Sequence, residues 1–158
     1  MKRLRTSLSA MRSFAPLILR IVFGGLFLWH GIDKFRAGID MVEGAFTMWG
    51  VPAPSVAAPA VALLEVIGGV ALIVGLGTRL FSMLLAVVMI GAIILVKADV
   101  GVIAAEGAGA EVDIANLGGL LALMLLGPGP ISVDAKVGLE PREVTDRAEL
   151  TGRAARRA

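Results

Sequence analysis

The sequence has no cysteine, no tyrosine and a single histidine among its 158 residues. Without cysteine, the chain cannot form disulfides, thiolate metal sites or cysteine-ligated iron–sulfur clusters. One histidine is too few for a typical multi-histidine metal or haem site, so we predict no metal site. Charge is also scarce: 18% of the residues are charged, whereas soluble domains reach about 25%.

Apolar residues are correspondingly abundant. They make up 57% of the chain, and 20 glycines come in addition. A domain of this length cannot enclose so much apolar surface in one core, so the remainder needs an apolar solvent. The composition therefore excludes a soluble globular enzyme, a disordered protein and a fibrous repeat, and it predicts an integral membrane protein.

Four stretches are candidates for membrane spans, because a helix needs about 20 mostly apolar residues to cross the hydrocarbon. They lie at about 14–32, 55–76, 80–98 and 111–127. The fourth is the weakest, since Glu111 and Asp113 must lie at headgroup depth if it is to span. We predict an all-α fold, an integral membrane antiparallel four-helix bundle.

Basic residues indicate the orientation of the chain. Most lysines and arginines lie before the first span, in the turn between spans two and three, and after the fourth span. We therefore predict a plasma-membrane protein with both termini in the cytoplasm, divided into a basic N-terminus (1–13), a transmembrane domain (14–133) and a charged, disordered tail (134–158). The first span exceeds the apolar length of a cleaved signal and is expected to remain as an anchor.

The connection between spans one and two has a helical pattern of its own. Phe35, Ile39, Val42, Phe46 and Trp49 recur every three or four residues, which places them on one helical face. We predict a short amphipathic helix at about 35–49 that lies in the membrane interface. It either caps the bundle or acts as a lid over a substrate.

Two ionisable residues fall well inside predicted spans, where a charge is costly and indicates a functional site. Arg20 shares a helical face with Gly24, and Glu65 shares one with Gly69. Faces of small residues are where membrane helices approach closely, so both charges are expected to point into the bundle. They either pair and fix helix register, or they form a ligand or proton site.

A second polar group lies near the outer end of the first span. His30 and Lys34 are one helical turn apart, and Asn116 lies near the outer end of span four. His30 is the side chain whose ordinary pKa lies nearest neutrality. These three residues are candidates for binding a cofactor, with an interfacial, non-functional role as the alternative for His30 and Lys34.

The remaining polar and small residues are assigned structural roles. Arg79 and Lys97 are interpreted as topology-setting or snorkelling charges, and Gly68 and Gly69 as packing residues. The sequence contains no phosphate-binding loop, nucleophile elbow or metal-ligand spacing. We predict no nucleic-acid partner, because the basic excess is better explained by orientation in the bilayer.

Five motifs follow the early arginine in a characteristic order. They are LWHGIDKF (28–35), GVPAP (50–54), LLEVIGG (63–69), GLGTRL (75–80) and LLGPGPISVD (125–134). In this series the chain resembles the DoxX family of small four-span bacterial membrane proteins, over about residues 17–134. The resemblance implies four antiparallel helices in the plasma membrane, and it singles out Arg20, His30, Lys34, Glu65 and Arg79 without assigning their roles.

The resemblance also implies a functional context. The name-giving relatives are associated with a thiosulfate:quinone oxidoreductase whose membrane subunit is a DoxD-type chain, and other members with oxidative-stress complexes. Our first hypothesis is a membrane subunit or partner of a redox assembly that binds quinone. His30, Lys34 or Arg20 would donate to the quinone carbonyls, and Glu65 or His30 would deliver protons. Such a chain is not a complete enzyme by itself, so soluble cytoplasmic partners would supply electrons.

Two alternatives remain open. The protein is either a non-catalytic scaffold that recruits soluble partners through its tail, or a small proton- or cation-coupled carrier in which Glu65 is the ion site. The carrier hypothesis requires a homo-oligomer, because four short helices leave little room for a pathway.

Overall fold

The structure is a computed structural model that describes residues 14–104, 107 and 109–139. The predicted segment 1–13 and the part of the predicted tail from residue 140 onward lie outside the described residues. All regular structure within the described part is helical. The helices are α1 (Ala15–Ala37), α2 (Ile39–Met48), α3 (Pro54–Val74), α4 (Thr78–Gly91), α5 (Ala110–Leu126) and α6 (Val133–Val137), and α4 continues into a π-helical turn at Ala92–Val96.

Three helices are long and apolar enough to cross a membrane. They are α1 with 23 residues, α3 with 21, and α4 together with its π-helical turn with 19. The predicted all-helical membrane protein is thereby confirmed for the described residues, with three membrane-length helices. Helix α5 has 17 residues and is therefore about 25 Å long.

The outer faces of the helices carry large apolar side chains. Ile18 is 60% exposed, Val87 62% and Leu125 74%, and they lie on three different helices. Soluble monomers rarely expose contiguous apolar surface of this kind. Hydrocarbon is the solvent in which such a surface is stable.

Glycines bring α1 and α3 into close contact. A Cβ atom at Gly24 would lie 2.8 Å from the carbonyl oxygen of Gly69, and one at Gly69 would lie 2.5 Å from the backbone nitrogen of Leu28. Gly31 meets Ala62 and Val66 in the same way. The two backbones touch because no side chain separates them, as in other close membrane-helix pairs.

The apolar core lies between α1, α3, α4 and α5. Its buried side chains are Phe27, Leu72, Leu85, Ala86, Met89, Leu120 and Leu123. Gly68 makes room for Leu85, whose side chain would lie 3.1 Å from a Cβ at that position. The core therefore joins α3 to α4 through side-chain packing, in contrast to the backbone contact between α3 and α1.

The predicted interfacial helix begins later than the sequence pattern suggested. Helix α1 continues to Ala37, and Gly38, with φ of 97°, separates it from α2. Phe35 consequently belongs to α1. Phe46 is the buried residue of α2, and its ring centroid lies 6.2 Å from that of Trp49.

The packed chain extends past residue 133, where the sequence suggested that a solvated tail starts. After α5, the backbone nitrogen of Asp134 donates to the carbonyl of Gly75 at 2.9 Å. Ser132 caps α6 by accepting from the backbone nitrogen of Ala135. Asp134 is 3% exposed, because its side chain binds the turn between α3 and α4.

Candidate functional site

A cavity of about 490 Å³ lies between the helices, and residues from α1 to α5 line it. Its polar lining residues are His30, Lys34, Glu65, Lys97, Asp113 and Asn116. The other lining residues are apolar, aromatic or glycine. The cavity has the size and the mainly apolar lining of small-molecule sites. Four of the residues singled out from the sequence line it.

An ion pair between the half-buried Lys34 and the buried Glu65 joins two walls of the cavity. The Lys34 Nζ atom donates to Glu65 Oε2 at 2.5 Å, and the side chains are 22% and 4% exposed. The packing of Gly31 against Val66 brings Lys34 within reach of Glu65. Glu65 therefore pairs with Lys34. Arg20, the partner considered from the sequence, lies farther along α1, at the level of Leu72.

Helix α5 adds Asp113, which the sequence did not assign to a site, next to the predicted site residue Asn116. Asp113 and Asn116 are three residues apart and therefore project from the same face. Asn116 is 9% exposed, and both residues line the cavity. The sequence predicted Asp113 at headgroup depth. Its spacing to Asn116 was the signal that could have identified it as a site residue.

Several polar groups of this cavity lack hydrogen-bond partners. Within the described residues, no hydrogen bond satisfies the side chains of His30, Asp113 or Asn116. The Oδ2 atom of Asp113 is fully buried in addition. Because buried polar groups are nearly always satisfied in native proteins, the buried Asn116 side chain and the buried Oδ2 atom of Asp113 indicate that a ligand or water binds beside them, next to the exposed His30.

The π-helical turn forms another wall of the cavity. The backbone nitrogen of Lys97 donates to the carbonyl of Ala92, five residues earlier, at 3.1 Å. Ala92, Leu95 and Val96 in this turn line the cavity. Such turns are often found at functional sites, because they widen a helix locally and redirect its side chains.

Arg20 lies outside this cavity, in a different polar cluster. Its guanidinium donates to four backbone carbonyls: Leu72 at 2.8 Å, Ile73 at 2.9 Å, and Pro128 and Ile131 at 2.7 Å each. Arg20 is 2% exposed. Four of its five N–H groups are thus used to join the end of α3 to the segment after α5.

Asp134 and Arg79 strengthen the same junction. The Asp134 carboxylate accepts from the backbone nitrogens of Gly77 at 2.7 Å and Thr78 at 3.0 Å, at the N-terminus of α4. Arg79 donates to the carbonyl of Met124, near the C-terminus of α5, at 3.0 Å. Carboxylates at helix N-termini and cations at helix C-termini are favourable for the helix dipole. The cluster therefore holds the helix ends together.

The apolar outer surface, the three membrane-length helices and the polar cavity define a helical integral membrane protein with a ligand-sized site. The sequence profile of the DoxX family matches residues 15–98, a range that includes His30, Lys34 and Glu65. The chain belongs to the DoxX family.

Two curated proteins are similar to this chain in sequence over part of their length. The chain is 42% identical over 82 residues to "Putative oxidoreductase CatD" of Bacillus subtilis, a match that spans 51% of this chain and 58% of that protein. It is 32% identical over 130 residues to an uncharacterized membrane protein of Mycobacterium tuberculosis, across 77% of this chain and 80% of that protein. No solved structure gives a significant match.

Proposed function

We propose that this protein is a membrane subunit or membrane partner of a redox assembly and that its cavity binds the head group of a quinone. The observation that carries the proposal is the cavity itself, in which unpartnered polar side chains and a partly buried ion pair lie among apolar walls. The name of CatD, which describes an oxidoreductase, supports the same class of function.

The donor set fits a quinone. A quinone ring has two carbonyl oxygens that accept hydrogen bonds, and its substituents are apolar. The His30 imidazole and the Asn116 amide can donate to such oxygens, and Phe27, Phe46 and Trp49 provide aromatic walls. When bound, a quinone supplies a two-electron, two-proton couple. Glu65 and His30 are then the residues that exchange protons with the site.

The electrons come from another protein. The chain has no cysteine and one histidine, which leaves it without the ligands of an iron–sulfur or multi-histidine centre. A partner protein therefore delivers electrons, and this chain supplies the binding site and the membrane anchor.

The proposal includes four membrane crossings in the plasma membrane, with both chain ends in the cytoplasm. Helix α5 starts beside the connection that follows α4 and its π-helical turn, since the Ala110 nitrogen donates to the Gly101 carbonyl at 3.0 Å. It ends beside the start of α4, where Arg79 donates to the carbonyl of Met124 at 3.0 Å. Helix α5 thus returns across the length of α4, which favours a fourth crossing. In this topology the cavity lies in the outer half of the membrane.

The test uses the two tryptophans of the chain. Trp49 lines the cavity, whereas Trp29 is 59% exposed, with the Arg36 guanidinium 5.3 Å from its ring centroid. In a Trp29→Phe background, Trp49 is the remaining tryptophan and reports on occupancy of the cavity. Addition of duroquinone to the purified protein in detergent is expected to quench Trp49 fluorescence until the site is saturated.

Two variants in the same background identify the site. Asn116→Leu removes the amide at similar volume and is expected to weaken duroquinone binding about 5-fold, the value of one neutral hydrogen bond. Arg36→Gln removes an exposed charge of α1 and should leave binding unchanged. Quenching that rises linearly without saturation, or that is unchanged by Asn116→Leu, would contradict the proposed site.

A further inference from the structure

One edge of α4 faces both the cavity and the outer surface of the protein. Val87, Gly91 and Leu95 follow one another at intervals of four residues along α4 and its π-helical turn, so they lie along the same edge. All three line the cavity. Val87 is nevertheless 62% exposed and Leu95 39%, whereas an enclosed wall would bury these side chains. The cavity is therefore open to the outer surface along this edge.

The opening lies between α3 and α4. Closer to the turn that joins the two helices, Leu85 packs against Gly68 and fills the space between them. Farther from the turn, a Cβ atom at Gly91 would meet no atom of a described residue within 4 Å. We call this gap the lateral opening, and the cavity-lining residues that border it are Val61, Val87, Gly91 and Leu95.

The polar and apolar parts of the cavity lie on different sides. His30 and Lys34 belong to α1, and Asp113 and Asn116 belong to α5. Glu65 of α3 is paired with Lys34. The lateral opening, in contrast, is bordered by apolar side chains and a glycine. A ligand with a polar head and an apolar extension fits this cavity in one orientation, with the extension directed through the opening and away from water.

We propose that the ligand of the cavity is a lipid-borne quinone whose apolar tail passes through the lateral opening, where Gly91 leaves room for it. The inference rests on the proposed function, because it adds a tail and a route of entry to the quinone head group proposed above. The quinone then enters sideways from the bilayer and does not cross the aqueous phase. Gly91 is a specificity-determining residue, because any side chain at this position narrows the opening.

The experiment compares two quinones in the Trp29→Phe background. One is duroquinone, and the other carries a decyl chain in place of one of its four methyl groups. Both affinities are measured by saturable quenching of Trp49 at one detergent concentration, so that partition of the tailed quinone into micelles is the same for every variant. Gly91→Leu is expected to lower the ratio of the tailed-quinone affinity to the duroquinone affinity about 10-fold, because the leucine side chain occupies the space of the tail.

The matched control is Gly118→Leu on α5. A Cβ atom at Gly118 also meets nothing within 4 Å, and Gly118 does not line the cavity, so the same substitution there should leave the affinity ratio unchanged. An unchanged ratio in Gly91→Leu, or an equal fall in Gly118→Leu, would overturn the inference. In either case saturable duroquinone binding leaves the proposed function standing, whereas absence of duroquinone binding by the parent protein removes it.

A second measurement needs no substitution in the opening. The tailed quinone is prepared with a diazirine in the middle of its decyl chain and is photolysed with the protein, and the cross-linked peptides are identified by mass spectrometry. We expect cross-links in α3 and in α4 with its π-helical turn, and we expect excess duroquinone to remove them. Duroquinone-sensitive cross-links confined to α1 and α5 would show that the tail leaves on the other side and would overturn the inference.

Discussion

At the residue scale, the two cations that helix α1 turns toward the other helices are stabilised in different ways. Lys34 is neutralised by one carboxylate, Glu65, at the cavity. Arg20 instead donates to four backbone carbonyls and joins three parts of the chain. An ammonium is a point charge that suits a single partner, whereas the planar guanidinium can serve several acceptors in fixed directions. The two residues are therefore not interchangeable.

Arg20→Lys tests this distinction. Lysine has three N–H donors and cannot reach four carbonyls arranged around a plane. We expect the free energy of unfolding to fall by about 3 kcal/mol, because at least one buried carbonyl loses its partner. The measurement is denaturant unfolding in mixed micelles. Arg36→Lys on the exposed side of α1 should change stability by less than about 0.5 kcal/mol, and equal effects at both positions would contradict this role of Arg20.

At the scale of elements, the close contact of α1 and α3 determines the shape of the cavity. Gly24, Gly31 and Gly69 allow the backbones to touch, and this contact fixes the register in which Lys34 meets Glu65. Lipid gives no hydrophobic driving force for helix association, so tight packing must supply the stability. The ion pair in the cavity is thus a consequence of glycines located elsewhere in the same interface.

Two adjacent glycines on α1 provide a matched test. A Cβ at Gly24 would lie 2.8 Å from both the Gly69 oxygen and an Ile73 side-chain carbon, whereas one at Gly25 meets nothing within 4 Å. Gly24→Ala is expected to destabilise the protein by about 2 kcal/mol through steric overlap. Gly25→Ala is expected to stabilise it by about 0.5 kcal/mol, because alanine is the better helix former. Both effects are measured by denaturant unfolding, and a tolerated Gly24→Ala would disprove close packing at this position.

At the scale of the whole molecule, the two polar regions lie at opposite ends of the helices. The cluster of Arg20, Arg79 and Asp134 closes one end, near the turn between α3 and α4. The cavity lies toward the other end, near α2 and the start of α5. The proposed topology assigns the first end to the cytoplasm and the second to the outer half of the membrane.

The absence of cysteine makes this topology directly testable. Asp40 on α2 and Lys136 on α6 are both exposed, and each can be replaced by the sole cysteine of the chain. A membrane-impermeant maleimide is expected to label Asp40→Cys in intact cells and Lys136→Cys only after permeabilisation. If α5 does not cross the membrane, both positions lie on the same side. Equal labelling in intact cells would therefore refute four crossings.

Much of the fold could be predicted from the sequence, because membrane helices depend on local composition. The ends of α3 lie within two residues of the predicted span, and those of α4 with its π-helical turn do as well. The end of α1 was missed by five residues, since polar residues that follow Ile32 continue the helix to Gly38. Hydropathy indicates the apolar part of a helix and not its hydrogen-bonded end.

The candidate site could be predicted only in part. His30, Lys34, Glu65 and Asn116 were identified by their polarity in apolar surroundings, and the structure brings all four to one cavity. Arg20 was selected by the same criterion and lies elsewhere, while Asp113 was attributed to the headgroup region. Polarity in a span indicates that a side chain needs a partner, but it does not indicate which one.

The sequence by itself determined that the surrounding solvent is lipid, where the helices lie and which polar residues must be shielded from lipid. The apolar length of a segment and the cost of an unpaired charge within it are properties of that segment alone. The tertiary structure decided which partner each charge has. Helix register, set by glycine contacts between α1 and α3, places Lys34 and not Arg20 beside Glu65. That choice depends on the distance between two backbones, which no segment of the chain specifies alone.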